Sequence, residues 1–303
     1  PSIIQSDVVR LLPHSSSDDQ RKYRLEKDLE ADRKRDPLLT FSHVCIKEGI
    51  AKQEEFDKIR DLVHSHVDED AEWAESKPDP KSGDGSKNVY FNSEPQNAPE
   101  PIPVNGDKIV LVDAINHALD EELIHNEKMM VFGQDVAGGK GGVFTATREL
   151  TAKHGEQRVF NSPLAESSII GSAIGLATLG YKPVVEIQFS GFTMQAFDQI
   201  EQNMARLHNR TQGKYTVPMV LRTPYGGNIR AVEHHSESRE AYWAHTPGLH
   251  VVIPSGPRNA RALLAAAIRS DEPVIFYEPK AIYRAFREEV PDAPELLEIG
   301  KAN

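Results

Sequence analysis

The sequence predicts an α/β domain over residues 107–285, with a mostly parallel sheet and helices on both faces. One observation is that short apolar segments of strand length alternate with helical patterns throughout this range. A second is that 39% of the 303 residues are hydrophobic, which is enough for one sizeable α/β domain with appendages. We therefore expect one such domain, preceded by a helical segment and a linker.

The elements of this domain follow from the spacing and length of the apolar segments. Helices are expected at 109–123, at 167–179, through residues 197–207 and from Pro257 onward, because proline is favoured in the first helical turn. The segment 167–179 is rich in small and apolar residues and is expected to be a buried helix. Strands are expected at 128–132, 184–189, 219–222, 251–254 and 274–277, the third of them broken by Pro224.

The first 106 residues differ in character from this domain. Residues 1–35 hold an apolar segment, PSIIQSDVVRLL, expected to be a strand, then a polar loop and a charged run. Residues 36–80 are expected to be helical, since Phe56, Ile59, Val63 and Val67 form one apolar stripe. A proline-rich stretch predicts a linker at 81–106. Residues 286–303 are expected to lead towards a further domain, and the start at Pro1 suggests a fragment or a processed piece.

Composition excludes several classes of protein. The net charge of -11 argues against a nucleic-acid-binding protein, because such proteins need a basic surface. The single cysteine, Cys45, excludes an internal disulfide framework. No apolar run approaches the roughly 20 residues that a membrane helix needs, and no secretory leader is recognisable.

Glu166 is the first candidate site residue. It lies in NSPLAESSIIG, residues 161–171, at the start of a helix built almost entirely of small and apolar residues. Position alone favours an ordinary acid at a helix N-terminus, stabilised by the helix dipole. The functional interpretation is a partly buried glutamate that can hold or share a proton.

Two further loops are expected at the carboxyl ends of strands, where ligands gather in parallel sheets. In EHHSESRE, residues 233–240, the adjacent His234 and His235 are not spaced as zinc ligands on one helix face, so a solvated loop is favoured on position alone. GQDVAGGKGGVF, residues 133–144, lacks the spacing of a P-loop and of a dinucleotide fingerprint. A flexible or substrate-gating loop is the better interpretation of this segment.

The order of several motifs identifies a family resemblance. FGQDVAGGKGGVF, RVFNSPLAESSIIGSAIGLA, EIQFSGF, RTPYGG, EHHSESREAYWAHTPGLHVVIPS and PVIFYEPK together resemble the β subunit of the decarboxylating component of 2-oxoacid dehydrogenase complexes, over residues 107–303. Residues 1–80 resemble the C-terminal end of the α subunit of the same enzyme. The order is that of an α–β fusion, and the fold it implies is the pyrimidine-binding domain of thiamine-diphosphate enzymes.

The resemblance implies roles for particular residues. Glu166 would hydrogen-bond a ring nitrogen of the aminopyrimidine and promote its imino tautomer. Leu164 and Gln188 would line the pyrimidine, and so would Phe192, which stands where many relatives have a tyrosine. His235 would assist acyl transfer to a lipoyl group, with His234 the less favoured neighbour.

Other implied features concern the α-like segment and the metals. His14 matches a histidine near the diphosphate end of the cofactor, and Ser15 stands where some relatives are phosphorylated. The loops at 217–223 and 267–272 match the region of a structural monovalent cation, K⁺. The family's Mg²⁺ and diphosphate motif is not found in this sequence, so its ligands are expected outside the chain.

The function implied is oxidative decarboxylation of a 2-oxoacid, with branched-chain substrates expected first and pyruvate second. The expected partners are the rest of the α-type part, a second fused chain in an α2β2-like dimer, and a lipoyl-bearing acyltransferase core. A bacterial cytoplasm is the expected location, with the mitochondrial matrix as the alternative. The competing hypotheses are another thiamine-diphosphate enzyme of the transketolase type and a non-catalytic dimerisation module.

Overall fold

The computed structural model describes residues 3–91 and 102–301. The chain divides into two compact units, one ending at Lys81 and the other beginning at Ser82. Part of the predicted linker, with Pro95, Pro99 and Pro101, lies outside the described residues. No helix in the two described ranges is both long enough and apolar enough to cross a membrane.

The first unit is helical. Its helices are α1 (Glu26–Lys34), α2 (Pro37–Lys47) and α3 (Gln53–Glu75). Helix α2 begins as its sequence dictates, with Pro37 in the first turn and the Asp36 carboxylate accepting a hydrogen bond from the Leu38 amide at 2.9 Å. The prediction of helices over 36–80 is thus confirmed, whereas α1, formed by the charged run, was not expected.

The expected strand at the start of the chain is wrong. No described residue from Ile3 to Leu12 lies in a strand, and the side chains of Ile3, Ile4, Val8 and Leu12 are exposed. A strand needs hydrogen bonds from a neighbouring strand, and the described part of this unit contains no other strand that could provide them. The apolar pattern alone could not supply that partner.

The second unit alternates strands and helices. Its elements, in chain order, are β1 (Lys108–Ile109), α4 (Leu111–His125), β2 (Met129–Gly133), α5 (Leu150–His154), β3 (Val159–Asn161), α6 (Glu166–Thr178), β4 (Lys182–Glu186), α7 (Leu207–Arg210), β5 (Val220–Tyr225), α8 (Glu240–Ala244), β6 (His250–Val252), α9 (Pro257–Arg269), β7 (Val274–Pro279) and β8 (Glu288–Glu289). Residues Ser190–Ala196 form a 3-10 helix and Gln199–Met204 a π-helix, so the helical pattern of residues 197–207 is confirmed in an irregular form.

Six of the strands form one parallel sheet in the order β3-β2-β4-β5-β7-β6. Each strand predicted within residues 107–285 is present within a few residues, and β3 is an additional strand of the sheet. Strand β5 does not break at Pro224, because Pro224 and Tyr225 stay in register with Glu278 and Pro279 of β7.

Alternate strand residues enter two apolar clusters, one on each face of the sheet. Val184, Val220 and Val274 pack with α4 and α9. Val185, Leu221 and Ile275 pack with α6 and the irregular helices after β4. This alternation confirms an α/β fold with helices on both faces.

The segments at the two ends of this unit are held by strand pairing and by hydrogen bonds to the rest of the unit. Strand β8 pairs antiparallel with β1, and Val290 is buried, so residues 288–290 pack on this unit. Within the predicted linker, the Lys87 carbonyl accepts a hydrogen bond from the Asn209 side chain at 2.8 Å. The Phe91 amide donates to the buried Glu272 carboxylate.

Candidate functional site at the carboxyl edge of the sheet

The candidate site lies where the parallel strands end. Residues that follow β2, β3, β4 and β7 supply Gln134, Glu166, Gln188 and Lys280, and the loop after β5 supplies His235. Because carboxyl ends of parallel strands meet at one edge, residues far apart in sequence become neighbours there. Hydrogen bonds and ring contacts join them into two groups, one around Glu166 and one around His235.

Glu166 is the first residue of α6 and is half-buried. The buried side-chain amide of Gln134 donates a hydrogen bond to Glu166 Oε1 at 3.2 Å. Gln134 was not singled out from the sequence, although a polar residue directly after a predicted strand is the signal that could have identified it. The structure thus gives the candidate glutamate a buried neutral partner.

Gln188 ties the ends of β2 and β4 together. Its side-chain amide lies 3.3 Å from the Gln134 carbonyl and 3.2 Å from Asp135 Oδ2, donating to both. Asp135 adopts a left-handed φ of 61° and forms an ion pair with Lys140, which holds the pKa of its carboxyl below the usual range. Gln188 therefore supports the backbone that carries Gln134.

Aromatic rings surround His235. The ring centroids of Phe189 and Phe192 lie 4.4 Å and 5.4 Å from that of His235, both edge to face. The Nδ1 atom of His235 is buried and has no hydrogen-bond partner among the described residues. Phe192, which is expected to line the pyrimidine, thus lies beside His235, the histidine expected to assist acyl transfer.

Lys280 is a buried cation in the same group and was also not predicted. Its ammonium donates to the backbone carbonyl of His235 and lies 4.8 Å from the ring centroid of Phe189. No carboxylate of the described residues forms an ion pair with it, and burial lowers the pKa of Lys280 to about 8. This contact fixes the His235 segment to the end of β7.

A fully buried charge cluster lies below this edge. Arg222 of β5 donates to Glu186 Oε2 at 3.0 Å and to Glu278 Oε1 at 2.7 Å, and the Tyr283 hydroxyl donates to Glu278. Burial raises the pKa of Glu186 to about 6 although the guanidinium opposes this. The cluster joins the ends of β4, β5 and β7 beneath the site.

The glycine-rich loop after β2 closes over this cluster. A Cβ on Gly142, which has a φ of 83°, would lie 3.1 Å from Thr147 Oγ1 and 3.7 Å from both Glu186 carboxylate oxygens. The Thr147 hydroxyl donates to the Val136 carbonyl at 2.7 Å, and the Gly142 amide donates to the Asp135 carbonyl at 2.8 Å. These bonds fix the second half of the loop, and its role as a gate stays a prediction.

The remaining predicted residues are more exposed. Leu164 precedes α6 with a side chain that is 82% exposed, and His234 is exposed beside His235. His14 is exposed in the other unit, where its amide donates to Asp18 Oδ2 at 2.9 Å, and the Ser15 hydroxyl lies 3.1 Å from that of Ser17. Across residues 3–91 and 102–301, no group of three or more His, Cys, Asp or Glu side chains is arranged to hold a metal ion.

The chain matches two family models. Residues 107–285 match the model described as "Transketolase, pyrimidine binding domain", and residues 1–82 match "Dehydrogenase E1 component". A solved structure described as "Split gene transketolase, inactive beta4 tetramer" has a TM-score of 0.45 and 24% identity, over 56% of this chain and 50% of that one.

Similar relatives are bacterial proteins named pyruvate dehydrogenase E1 component subunit beta. That of Acholeplasma laidlawii is 52% identical over 194 residues, which are 64% of this chain and 59% of that protein. That of Mycoplasma genitalium is 49% identical over 63% of this chain and 59% of its own length. That of Staphylococcus epidermidis is 47% identical over 65% and 60%. The chain thus spans about three fifths of these relatives.

Proposed function

This chain belongs to the family of the transketolase pyrimidine-binding domain, and we propose that it supplies the pyrimidine half of a thiamine-diphosphate-dependent 2-oxoacid dehydrogenase. The family resemblance drawn from the motifs is confirmed for both segments, since the first 82 residues match the dehydrogenase E1 component. The observation that carries the proposal is Glu166 at the start of α6, held by a buried amide at the carboxyl edge of the sheet.

We propose that an aminopyrimidine ring binds at this edge of the sheet, between Glu166 and the aromatic group around His235. Gln134 engages Oε1, which leaves Oε2 available to a ring nitrogen. The exposed Leu164 offers an apolar surface that a flat ring can cover, and Phe192 offers an aromatic one. A carboxylate that accepts a hydrogen bond, flanked by apolar surface, is the environment that a protonated heteroaromatic nitrogen requires.

Each residue contributes a distinct step to the proposed mechanism. When bound, thiamine diphosphate supplies the electron sink for decarboxylation. Glu166 holds or shares a proton at the ring nitrogen, and Gln188 keeps the ends of β2 and β4 together beneath it. Phe189 and Phe192 exclude water from one side of His235. Its imidazole would donate a proton to the sulfur that is released when an oxidised lipoyl disulfide accepts the acyl group and is reduced.

We propose pyruvate as the first substrate and branched-chain 2-oxoacids as the second, which reverses the order expected from the motifs. The names of the similar bacterial relatives support this change. Partnership with an α-type part and a lipoyl-bearing core, and self-association, are proposed on the same basis. Mg²⁺ bound outside this chain, K⁺ near 217–223 and 267–272, the role of His14 and a cytoplasmic location stay predictions.

The test uses the full-length enzyme that contains this chain, with thiamine diphosphate, Mg²⁺ and a panel of 2-oxoacids. We expect Glu166→Gln to lower decarboxylation by at least about 100-fold, in the range lost with a positioned proton-transfer group. The matched control is Glu156→Gln, an exposed glutamate outside the site, which should retain normal activity.

Near-normal decarboxylation by the Glu166→Gln enzyme would refute the proposal. A panel in which no 2-oxoacid is decarboxylated, but a sugar phosphate is cleaved, would favour the transketolase-type alternative. Absence of cofactor binding together with intact self-association would favour the dimerisation module.

A further inference from the structure

We infer that Gln134 is a positioning residue for Glu166: its side-chain amide holds carboxylate oxygen Oε1, so that Oε2 alone faces the ring nitrogen of the cofactor. This inference rests on the proposed function. It starts from the 3.2 Å hydrogen bond between two side chains that stand 32 residues apart in the sequence.

The position of Gln134 is fixed by its backbone. It follows Gly133, the last residue of β2, where a Cβ would lie only 2.4 Å from the Glu186 carbonyl oxygen of β4. The two strands therefore approach each other as closely as glycine permits. The Gln188 amide then donates to the Gln134 carbonyl at 3.3 Å, so the residue is held from both sides.

The orientation of Glu166 depends on this one contact. Among the hydrogen bonds of the described residues, Gln134 is the one side-chain partner of the Glu166 carboxylate. Glutamate has three rotatable side-chain bonds, and Glu166 is only partly buried. A buried donor on Oε1 selects the rotamers in which Oε2 points away from the end of β2.

The chemistry of the amide assigns different roles to the two oxygens. An amide N–H donates a hydrogen bond but gives up no proton near neutral pH, so Oε1 stays an acceptor. The oxygen that already accepts this hydrogen bond is the weaker base of the two, so the proton that Glu166 shares with the ring nitrogen is favoured on Oε2. A carboxyl group in place of the amide would compete for that proton, since two carboxylates at this distance hold one proton between them.

The experiment compares Gln134→Met and Gln134→Glu in the full-length enzyme, each with and without Glu166→Gln. The first readout is the Kd for thiamine diphosphate, measured by isothermal titration calorimetry from pH 6 to 9, and the second is the kcat for 2-oxoacid decarboxylation. Thermal unfolding of each variant shows whether it is folded.

We expect Gln134→Met to weaken cofactor binding or to lower kcat by about 10- to 100-fold, the range for a hydrogen bond to a charged group. In the Glu166→Gln background the same change should alter Kd and kcat less than about threefold, because Gln134 acts through Glu166. Gln134→Glu should displace the midpoint of the pH profile by more than about one pH unit, a change that purely structural damage would not produce.

Two results overturn the inference. One is a loss in Gln134→Met that is equally large in the Glu166→Gln background, and the other is a pH profile unchanged by Gln134→Glu in a folded enzyme. Failure of the proposed function has a different signature, since Glu166→Gln alone would then leave cofactor binding and decarboxylation intact. If Gln134→Met does not fold, the pH profile of the similarly sized Gln134→Glu decides the matter.

Discussion

Replacement of Arg222 by methionine tests the buried charge cluster beneath the site. The guanidinium is fully buried and lies between Glu186 at 3.0 Å and Glu278 at 2.7 Å, which are also buried. Methionine fills much of the same volume but leaves two buried carboxylates without a cation. Breaking a buried ion pair from one side costs about 3–5 kcal/mol of unfolding free energy, so we expect a loss in this range at pH 8.

The pH dependence sharpens this expectation. Burial raises the pKa of Glu186 from 4.5 to about 6 in the folded protein, and this difference corresponds to about 2 kcal/mol. A raised folded pKa favours folding fully below pH 4.5, and this contribution is lost as the pH rises through 6. In the variant no guanidinium stabilises the ionised carboxylates of Glu186 and Glu278 against the cost of their burial. Protonation of these carboxyls should therefore recover more of the lost stability than it does in the wild type. The variant should therefore lose more stability at pH 8 than at pH 5.

The assay is urea unfolding of the chain at pH 5 and pH 8, followed by circular dichroism. The matched control is Arg206→Met, which removes a largely exposed arginine paired with Glu201 and should cost less than about 1 kcal/mol. Adding Glu186→Gln and Glu278→Gln to Arg222→Met should restore part of the stability at pH 8. A loss below about 1 kcal/mol, or an equal loss at both pH values, would refute the reasoning.

Two further predictions concern His235 and the segment at 87–91. His235→Ala should lower acyl transfer to a lipoyl domain at least about tenfold more than it lowers carbon dioxide release, because the imidazole is expected to act in acyl transfer. The control is His234→Ala, which changes an exposed neighbour. Equal losses in the two assays would contradict a role of His235 specific to acyl transfer. Burial raises the pKa of Glu272 to about 7 although the hydrogen bond from the Phe91 amide opposes this rise, so the folded state in which Glu272 is buried beside Phe91 is favoured fully below pH 4.5 and less as the pH rises through 7. Amide hydrogen exchange at 87–91, corrected for intrinsic rates, should accelerate from pH 5 to pH 8, and the Glu272→Gln variant should lack this change; a pH-independent wild-type protection would contradict it.

The sheet was predictable because its signals are local. Apolar segments of four to six residues and the small-residue helix after Glu166 each carry their pattern within a short window, and the structure has an element at each position. Strand β3 was missed because its apolar run has only two residues, Val159 and Phe160, whereas the equally short β6 lies in the longer run 251–254. Strand formation at the start of the chain was wrongly expected because pairing depends on a partner that no local pattern contains.

The site was predictable only in part, for a similar reason. Glu166 and His235 stand in recognisable motifs, whereas Gln134 and Lys280 acquire their roles from contacts made across the sheet edge. Lysine is rarely buried without a carboxylate partner, so neither composition nor periodicity predicts that Lys280 is buried in the site. Arg222 looked like the last residue of an apolar strand, and its two glutamate partners lie 36 and 56 residues away.

The position of β3 has a consequence for how the site opens. This strand has three residues and pairs on one side only, with β2, yet the segment after it carries Glu166. Gln134 and Gln188, in contrast, follow strands that are paired on both sides. Segments with few hydrogen bonds at the margin of a fold open through local unfolding at a small fraction of the global free energy. We therefore expect β3 and the loop that leads from it to Glu166 to open more readily than the inner strands, and a ligand that contacts both Glu166 and the inner strands to oppose that opening.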